Sequence, residues 1–182
     1  MKGVTLYSRL SKLYFRHLLR QIINVGKLRR PDITILDFGC GSGELKHLLA
    51  GVNVIGYDII PSLSDVEDWR AVDFNVLVSN EVFYSFSENE LEELLQELVK
   101  KCVNLELVIG TSRQGILNNI GKYLLGSPGA HSATKIGPKK ELEILERHCK
   151  INRKKNVMNL ANVYSLSFKK SSLNLSRLQE QK

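Results

Sequence analysis

The chain has 182 residues, 43% of them hydrophobic and 25% charged, with a net charge of +7. That length supplies one domain able to bury roughly two-thirds of its unfolded surface. No apolar run approaches the ~20 residues of a membrane span. Charges interrupt every hydrophobic stretch before residue 30, and three scattered cysteines (Cys40, Cys102, Cys149) exclude a disulfide frame or a zinc site, so the expected compartment is the cytoplasm.

The charge is unevenly placed. Residues 1–30 carry +8, residues 31–105 carry −10 and residues 106–182 carry +9. An anionic substrate, nucleic acid or an anionic membrane surface suits basic ends around an acidic middle, and so does plain solvated surface.

Residues 4–25 predict an amphipathic helix: Leu6, Leu10, Leu13, Tyr14, Leu18, Ile22 and Val25 recur at steps of three and four, beside a stripe of Arg9, Lys12, Arg16 and Arg20. Gly26 is a stop, and Pro31 separates the helix from a strand over Ile33 to Phe38. The sequence GCGSG then leads into a helix from Glu44, and VNVIGYDI predicts a second strand ending near Asp58. Only fifteen residues separate Asp58 from Phe74, too few for a full helix and a strand, so this part of the sheet is expected to be abbreviated. FNVLVSN predicts the next strand. Ser87 and Glu90 then have capping-box spacing at the head of a helix whose apolar face is Leu91, Leu94, Leu95, Leu98 and Cys102. Beyond it lie a strand LELVIGTS, a helix-like segment from Ile116 to Leu125, the loop GSPGAHSATKIGP, a helix from Lys139 to Cys149, two strands and a polar tail. Alternating strands and helices argue for a parallel sheet covered on both faces, with ligands at the carboxyl ends of its strands.

The stretch ILDFGCGSGE carries the chemistry. Gly39, Gly41 and Gly43 permit a tight turn and close backbone approach to a ligand. A dinucleotide site is one reading, and Asp58 lies nineteen residues after Gly39, as its ribose acid would. Two details favour a different ligand. Glu44 stands where the third dinucleotide glycine belongs, and Asp37 places a carboxylate where a pyrophosphate would dock. Two like charges about 4 Å apart repel by about 4 kcal/mol at an effective dielectric of 20. A ligand bearing a sulfonium and an ammonium is attracted instead.

With that loop the chain resembles the class I S-adenosylmethionine-dependent methyltransferases, in their small-molecule, type 11-like branch: LDFGCGSG matches the family's acid-x-Gly-x-Gly-x-Gly motif. The resemblance covers residues 30–112 and implies an α/β, Rossmann-like, doubly wound sheet of about 6–7 strands. The sheet would be mostly parallel with an antiparallel C-terminal strand, helices on both faces and an abbreviated third-strand region. It divides a single domain, 1–170, into a basic N-terminal helix (1–30) packing as a lid, a cofactor-binding half (31–112) and a substrate-side half (113–170), with 171–182 as tail. It also implies S-adenosylmethionine as cofactor and S-adenosylhomocysteine as product, with no metal. Asp37, Gly39, Cys40, Gly41 and Gly43 would hold the methionine moiety, Asp58 the ribose hydroxyls and Ile59 the adenine. The family's acid at the end of the third strand, which reads the adenine amino group, would come from Asp65, Glu67, Asp68 or Asp73, with Asp68 beside Trp69 preferred. Asn80 would border the methionine end of the cofactor.

Methyl transfer from a sulfonium needs alignment above all, and a base only when the acceptor must lose a proton. His131, in the loop after the last parallel strand, is the first candidate base; Tyr84 and Glu81, just past the preceding strand, also fall where substrate would lie. His17, His47 and His148 sit in helical patterns, and Cys40 is a small loop residue and not a nucleophile. The expected acceptor is small or lipid-like, taking methyl on O, N or C. Nucleic acid is less favoured, peripheral membrane contact through the basic helix is open, and the expected assembly is a monomer or homodimer. Two rival functions stay open: an NAD(P)-dependent oxidoreductase, and a non-catalytic S-adenosylmethionine- or RNA-binding module.

Overall fold

The buried run Ile35 to Phe38 forms the centre of a sheet because both of its faces meet apolar helices. In the computed structural model, which describes residues 2–102, 104–112 and 135–170 with side chains from Lys12 onward, this run is β1 (Thr34–Phe38). It lies between β2 (Asn53–Tyr57) and β3 (Val76–Asn80), parallel to both. β4 (Glu106–Ser112) continues the parallel set beside β3. β5 (Cys149–Val157) and β6 (Ala161–Phe168) complete six strands in the order β2-β1-β3-β4-β6-β5. β6 runs antiparallel to both its neighbours, so it alone points against the rest. The α/β, mostly parallel expectation holds, with six strands.

Side chains alternate across the sheet with period two. Leu36, Leu77, Leu107 and Leu166 enter one core with Leu91, Leu95 and Leu98 of α3 (Glu88–Lys101) and with Ile144 and Leu145 of α4 (Pro138–His148). Ile35, Val76, Val78 and Val108 enter the other with Leu18, Ile22 and Ile23 of α1 (Lys2–Gly26) and Leu45 of α2 (Glu44–Leu48). The capping box expected at α3 is complete. Ser87 Oγ accepts from the Glu90 N–H at 3.3 Å, and Glu90 Oε2 accepts from the Ser87 N–H at 2.7 Å.

The abbreviated region is two 3₁₀ turns, Pro61–Leu63 and Trp69–Ala71, with no strand between them. Asp65 occupies the exposed edge of β2 instead. Its Oδ2 accepts from the Gly56 N–H at 2.7 Å, its own N–H donates to the Gly56 carbonyl at 2.9 Å, and Lys46 pairs with it at 2.9 Å. One carboxylate thus answers part of the unpaired edge that a further strand would cover. Two other elements differ slightly from expectation: the segment from Glu44 is helical only to Leu48, and Cys149 opens β5 instead of ending a helix. The segments holding Ile116 to Leu125 and the 171–182 tail lie outside the described residues. Among the described residues no helix is long and apolar enough to cross a membrane.

Candidate functional site

The chain runs from β1 outward to β2 and returns to β3 on the other side of β1, so the strand order reverses between β1 and β3. Ligands of open α/β sheets bind at such a switch point, outside the carboxyl ends of the strands. A cleft of about 550 Å³ opens there. Its walls come from the end of β1 (Phe38, Gly39), the end of β2 and its turn (Tyr57 to Ile60), Trp69 and Arg70, the segment after β3 (Glu81, Val82, Tyr84 to Phe86) and one side of α3.

The glycine loop is held against β2. The N–H groups of Gly39 and Cys40 both donate to the Tyr57 carbonyl, at 2.8 and 3.1 Å. Gly39, Gly41 and Gly43 all have positive φ, at 82°, 51° and 73°. Gly39 is also sterically required, since a Cβ there would lie 2.3 Å from Val82 Cγ2. At Gly41 and Gly43 a Cβ would meet nothing within 4 Å, so these two glycines border open space.

Asp37 is 6% exposed at the base of this loop. Burial, then Asp58, then Asp65 push its carboxyl up to about 7. The same burial and carboxylates push the Cys40 thiol up to about 11, so it stays protonated at neutral pH. Asp58 ties the loop to the end of β2: its Oδ2 accepts from the Gly41 N–H and its Oδ1 from the Ile60 N–H, each at 3.0 Å. Ile59 beside it is 87% exposed on the cleft wall.

Of the residues singled out from sequence, Gly39, Asp58, Ile59, Trp69, Glu81 and Tyr84 line the cleft together. Asp37, Cys40, Gly41 and Gly43 lie in or under the loop behind that wall. Asp68, expected beside Trp69 at the adenine, is not among the residues of the cleft wall. It accepts from the Arg70 N–H at 3.0 Å, capping its 3₁₀ turn, and meets the Arg70 guanidinium at 3.3 Å. Trp69 is 3% exposed and is as much core as wall, edge-on to Phe38 and Phe74 with the Arg70 guanidinium 4.7 Å above its ring. Asn80 turns its side chain over Gly110, where its buried Oδ1 meets no donor among the described residues. His131 lies outside the described residues.

Several wall residues had no sequence signal. Arg70, Glu93 and Glu97 reach the cleft only because α3 crosses the turn at Trp69. Arg70 pairs with Glu97 at 2.7 Å, and Lys135 with Glu90 at 2.8 Å. Glu141 was detectable: it stands three and four residues before Ile144 and Leu145, on the apolar face of α4, and is buried with them.

No family model matches this chain, and no curated protein matches it. Solved structures do. Magnesium protoporphyrin IX methyltransferase from Synechocystis PCC 6803, with bound SAH (S-adenosylhomocysteine), superposes with a TM-score of 0.58 at 15% identity, over 92% of this chain and 86% of that one. The N-methyltransferase NodS from Bradyrhizobium japonicum WM9 gives a TM-score of 0.61 at 15% identity, over 85% and 96%. The PH0226 protein from Pyrococcus horikoshii OT3 gives 0.65 at 15% identity, over 85% and 90%. At this identity the likeness is one of fold, and the chain has the fold of class I S-adenosylmethionine-dependent methyltransferases.

Proposed function

We propose that this protein is an S-adenosylmethionine-dependent methyltransferase acting on a small or lipid-like acceptor. One observation carries the reading: Gly39 of a positive-φ glycine loop and Asp58, which is bonded to that loop, line a cleft at the strand switch point, with the buried Asp37 under the loop. The cleft suits such a cofactor. Open space beside Gly41 and Gly43 admits a ligand against the backbone, and Ile59 with the rings of Phe38 and Trp69 offers an apolar seat for a base. Charge argues against a pyrophosphate, because among the described residues that line the cleft Asp58, Glu81, Glu90, Glu93 and Glu97 are acidic and Arg70 is basic, with Lys135 paired to Glu90.

When bound, S-adenosylmethionine supplies a methyl group already activated on a sulfonium. The chain's part is placement. Asp37 sets negative charge under the methionine end, Asp58 accepts from the ribose hydroxyls, and the wall after β3 orients the acceptor. Holding two reactants in line replaces a bimolecular encounter and removes much of its entropic barrier.

A thermal-shift panel tests this. S-adenosylhomocysteine at a hundred times its dissociation constant should raise the melting temperature by roughly 5–10 °C, and NAD or NADP should not. The reverse pattern would make the chain a dinucleotide enzyme. Asp58→Ala should weaken binding of S-adenosylhomocysteine about ten- to hundredfold in calorimetry, the loss of hydrogen bonds to a charged acceptor. An unchanged affinity would remove Asp58 from the site.

A further inference from the structure

Glu81 is the first residue past β3, and its backbone takes the left-handed conformation, φ 56°, that non-glycine residues rarely adopt. Strain of this kind concentrates where a fold holds a side chain for use. The end of β4 fixes it twice: the Glu81 N–H donates to the Gly110 carbonyl at 2.8 Å, and Oε1 accepts from Ser112 Oγ at 2.8 Å. Its side chain forms part of the cleft wall. Burial first and then the charge of Glu81 push up three further titratable groups among the described residues, on three separate elements: Tyr14 of α1, Tyr84 of the turn after β3, and Glu141 of α4.

Glu141 is the more unusual member. It is 3% exposed, stands among apolar side chains of α4, and its carboxyl makes no hydrogen bond to another described residue. Burying one acid beside another is unfavourable, and an apolar residue would pack there without that cost. Of the two acids, Glu81 lines the cleft, and it is the charge on Glu81 that the buried Glu141 meets.

Resting on the methyltransferase reading above, we propose that Glu81, held by Gly110 and Ser112 at the end of β4, receives the acceptor as a protonatable nitrogen, a primary or secondary alkylamine. An ammonium brings N–H donors and positive charge to a wall rich in carboxylates, which an alcohol or a carboxylate substrate does not. The reaction balances. The ammonium gives one proton to a Glu81 carboxylate oxygen; the freed nitrogen lone pair forms the N–CH₃ bond as the S–CH₃ bond breaks, its electron pair remaining on sulfur. The product leaves as the methylated ammonium, and Glu81 returns its proton to solvent. Burial and then Glu81 push the Glu141 carboxyl up to about 8, so near neutral pH it holds its proton and does not add a second negative charge.

The test uses the full chain saturated with S-adenosylhomocysteine, with n-hexylamine, 1-hexanol and hexanoate as probes at up to about 10 mM in saturation-transfer NMR and calorimetry. The amine should bind and the other two should not. Glu81→Gln should lower amine affinity at least about tenfold while leaving S-adenosylhomocysteine affinity within about twofold. In the wild type, amine affinity should rise between about pH 7 and 9 as Glu141 ionises, and Glu141→Gln should flatten that rise. Equal binding of amine and alcohol, no amine binding, or an unchanged Glu81→Gln each overturns the proposal. A wild-type chain that fails to bind S-adenosylhomocysteine overturns the methyltransferase reading instead.

Discussion

Asp37→Asn is expected to stabilise the ligand-free protein at pH 8 and to weaken its affinity for S-adenosylmethionine by about a hundredfold or more. Both effects follow from one buried carboxyl. Burial and the neighbouring Asp58 and Asp65 raise it from 3.8 to about 7. For an acid raised in the folded state, the stabilisation is complete below the unfolded value and is lost as pH rises through the folded one. At pH 8 the wild type has therefore lost it, on the order of 4–5 kcal/mol at about 1.4 kcal/mol per pH unit, and asparagine, which cannot ionise, keeps it. A cationic ligand reverses the preference. It favours the carboxylate, so binding below about pH 7 must expel a proton, and affinity should rise up to about tenfold per unit of pH until it levels off above 7. In the asparagine variant the charge partner is gone; removing one member of a buried charge pair costs about 2–5 kcal/mol. Melting curves at pH 5 and pH 8, and calorimetry in two buffers of different ionisation enthalpy, check both halves. A variant that melts lower than wild type at pH 8, or binds as tightly, would remove Asp37 from the electrostatics of the site.

What could be read from the sequence was what depends on neighbours along the chain. The glycine loop, the acid before it and the capping box at Ser87 are local patterns, and each takes the form its spacing predicts. The short link after Asp58 announced an abbreviated part of the sheet, because its length forbids a full helix and a strand together. The use made of its acids was not legible. Asp65 and Asp68 are three residues apart in the same polar stretch. One meets the open edge of β2 and the other the start of a 3₁₀ turn, and only tertiary placement separates those outcomes. Glu81 is a similar case. Its identity and position were plain, but its left-handed backbone arises from bonds to Gly110 and Ser112, residues some thirty places away. Glu141 was legible in principle, as an acid at apolar spacing on an otherwise amphipathic helix.

Two of the loop's three glycines, Gly39 and Gly41, should separate sharply under the same substitution. Gly39→Ala is expected to cost roughly 2–5 kcal/mol of stability, combining a strained positive φ with an overlap in a packed region. The overlap is specific: the new methyl would lie 2.3 Å from Val82 Cγ2, and Val82 follows Glu81 in the chain. Moving Val82 aside displaces the wall after β3, so methyl transfer should fall along with stability. Urea denaturation of Gly39→Ala and of Gly39→Ala with Val82→Ala checks the cause: the second change should restore the overlap part and leave the φ part. If the double variant is no more stable than the single one beyond the intrinsic cost of Val82→Ala, the overlap is not the source. Gly41→Ala meets no atom within 4 Å, so its cost to the fold should stay near the strain alone, about 1–3 kcal/mol. Its effect belongs on binding, because the methyl fills the open space beside the loop and crowds any ligand seated there. A Gly41→Ala protein that folds but no longer binds S-adenosylhomocysteine would mark Gly41 as a glycine the ligand requires and Gly39 as one the fold requires. Equal losses of stability at both positions would contradict that division and return the whole loop to a structural role.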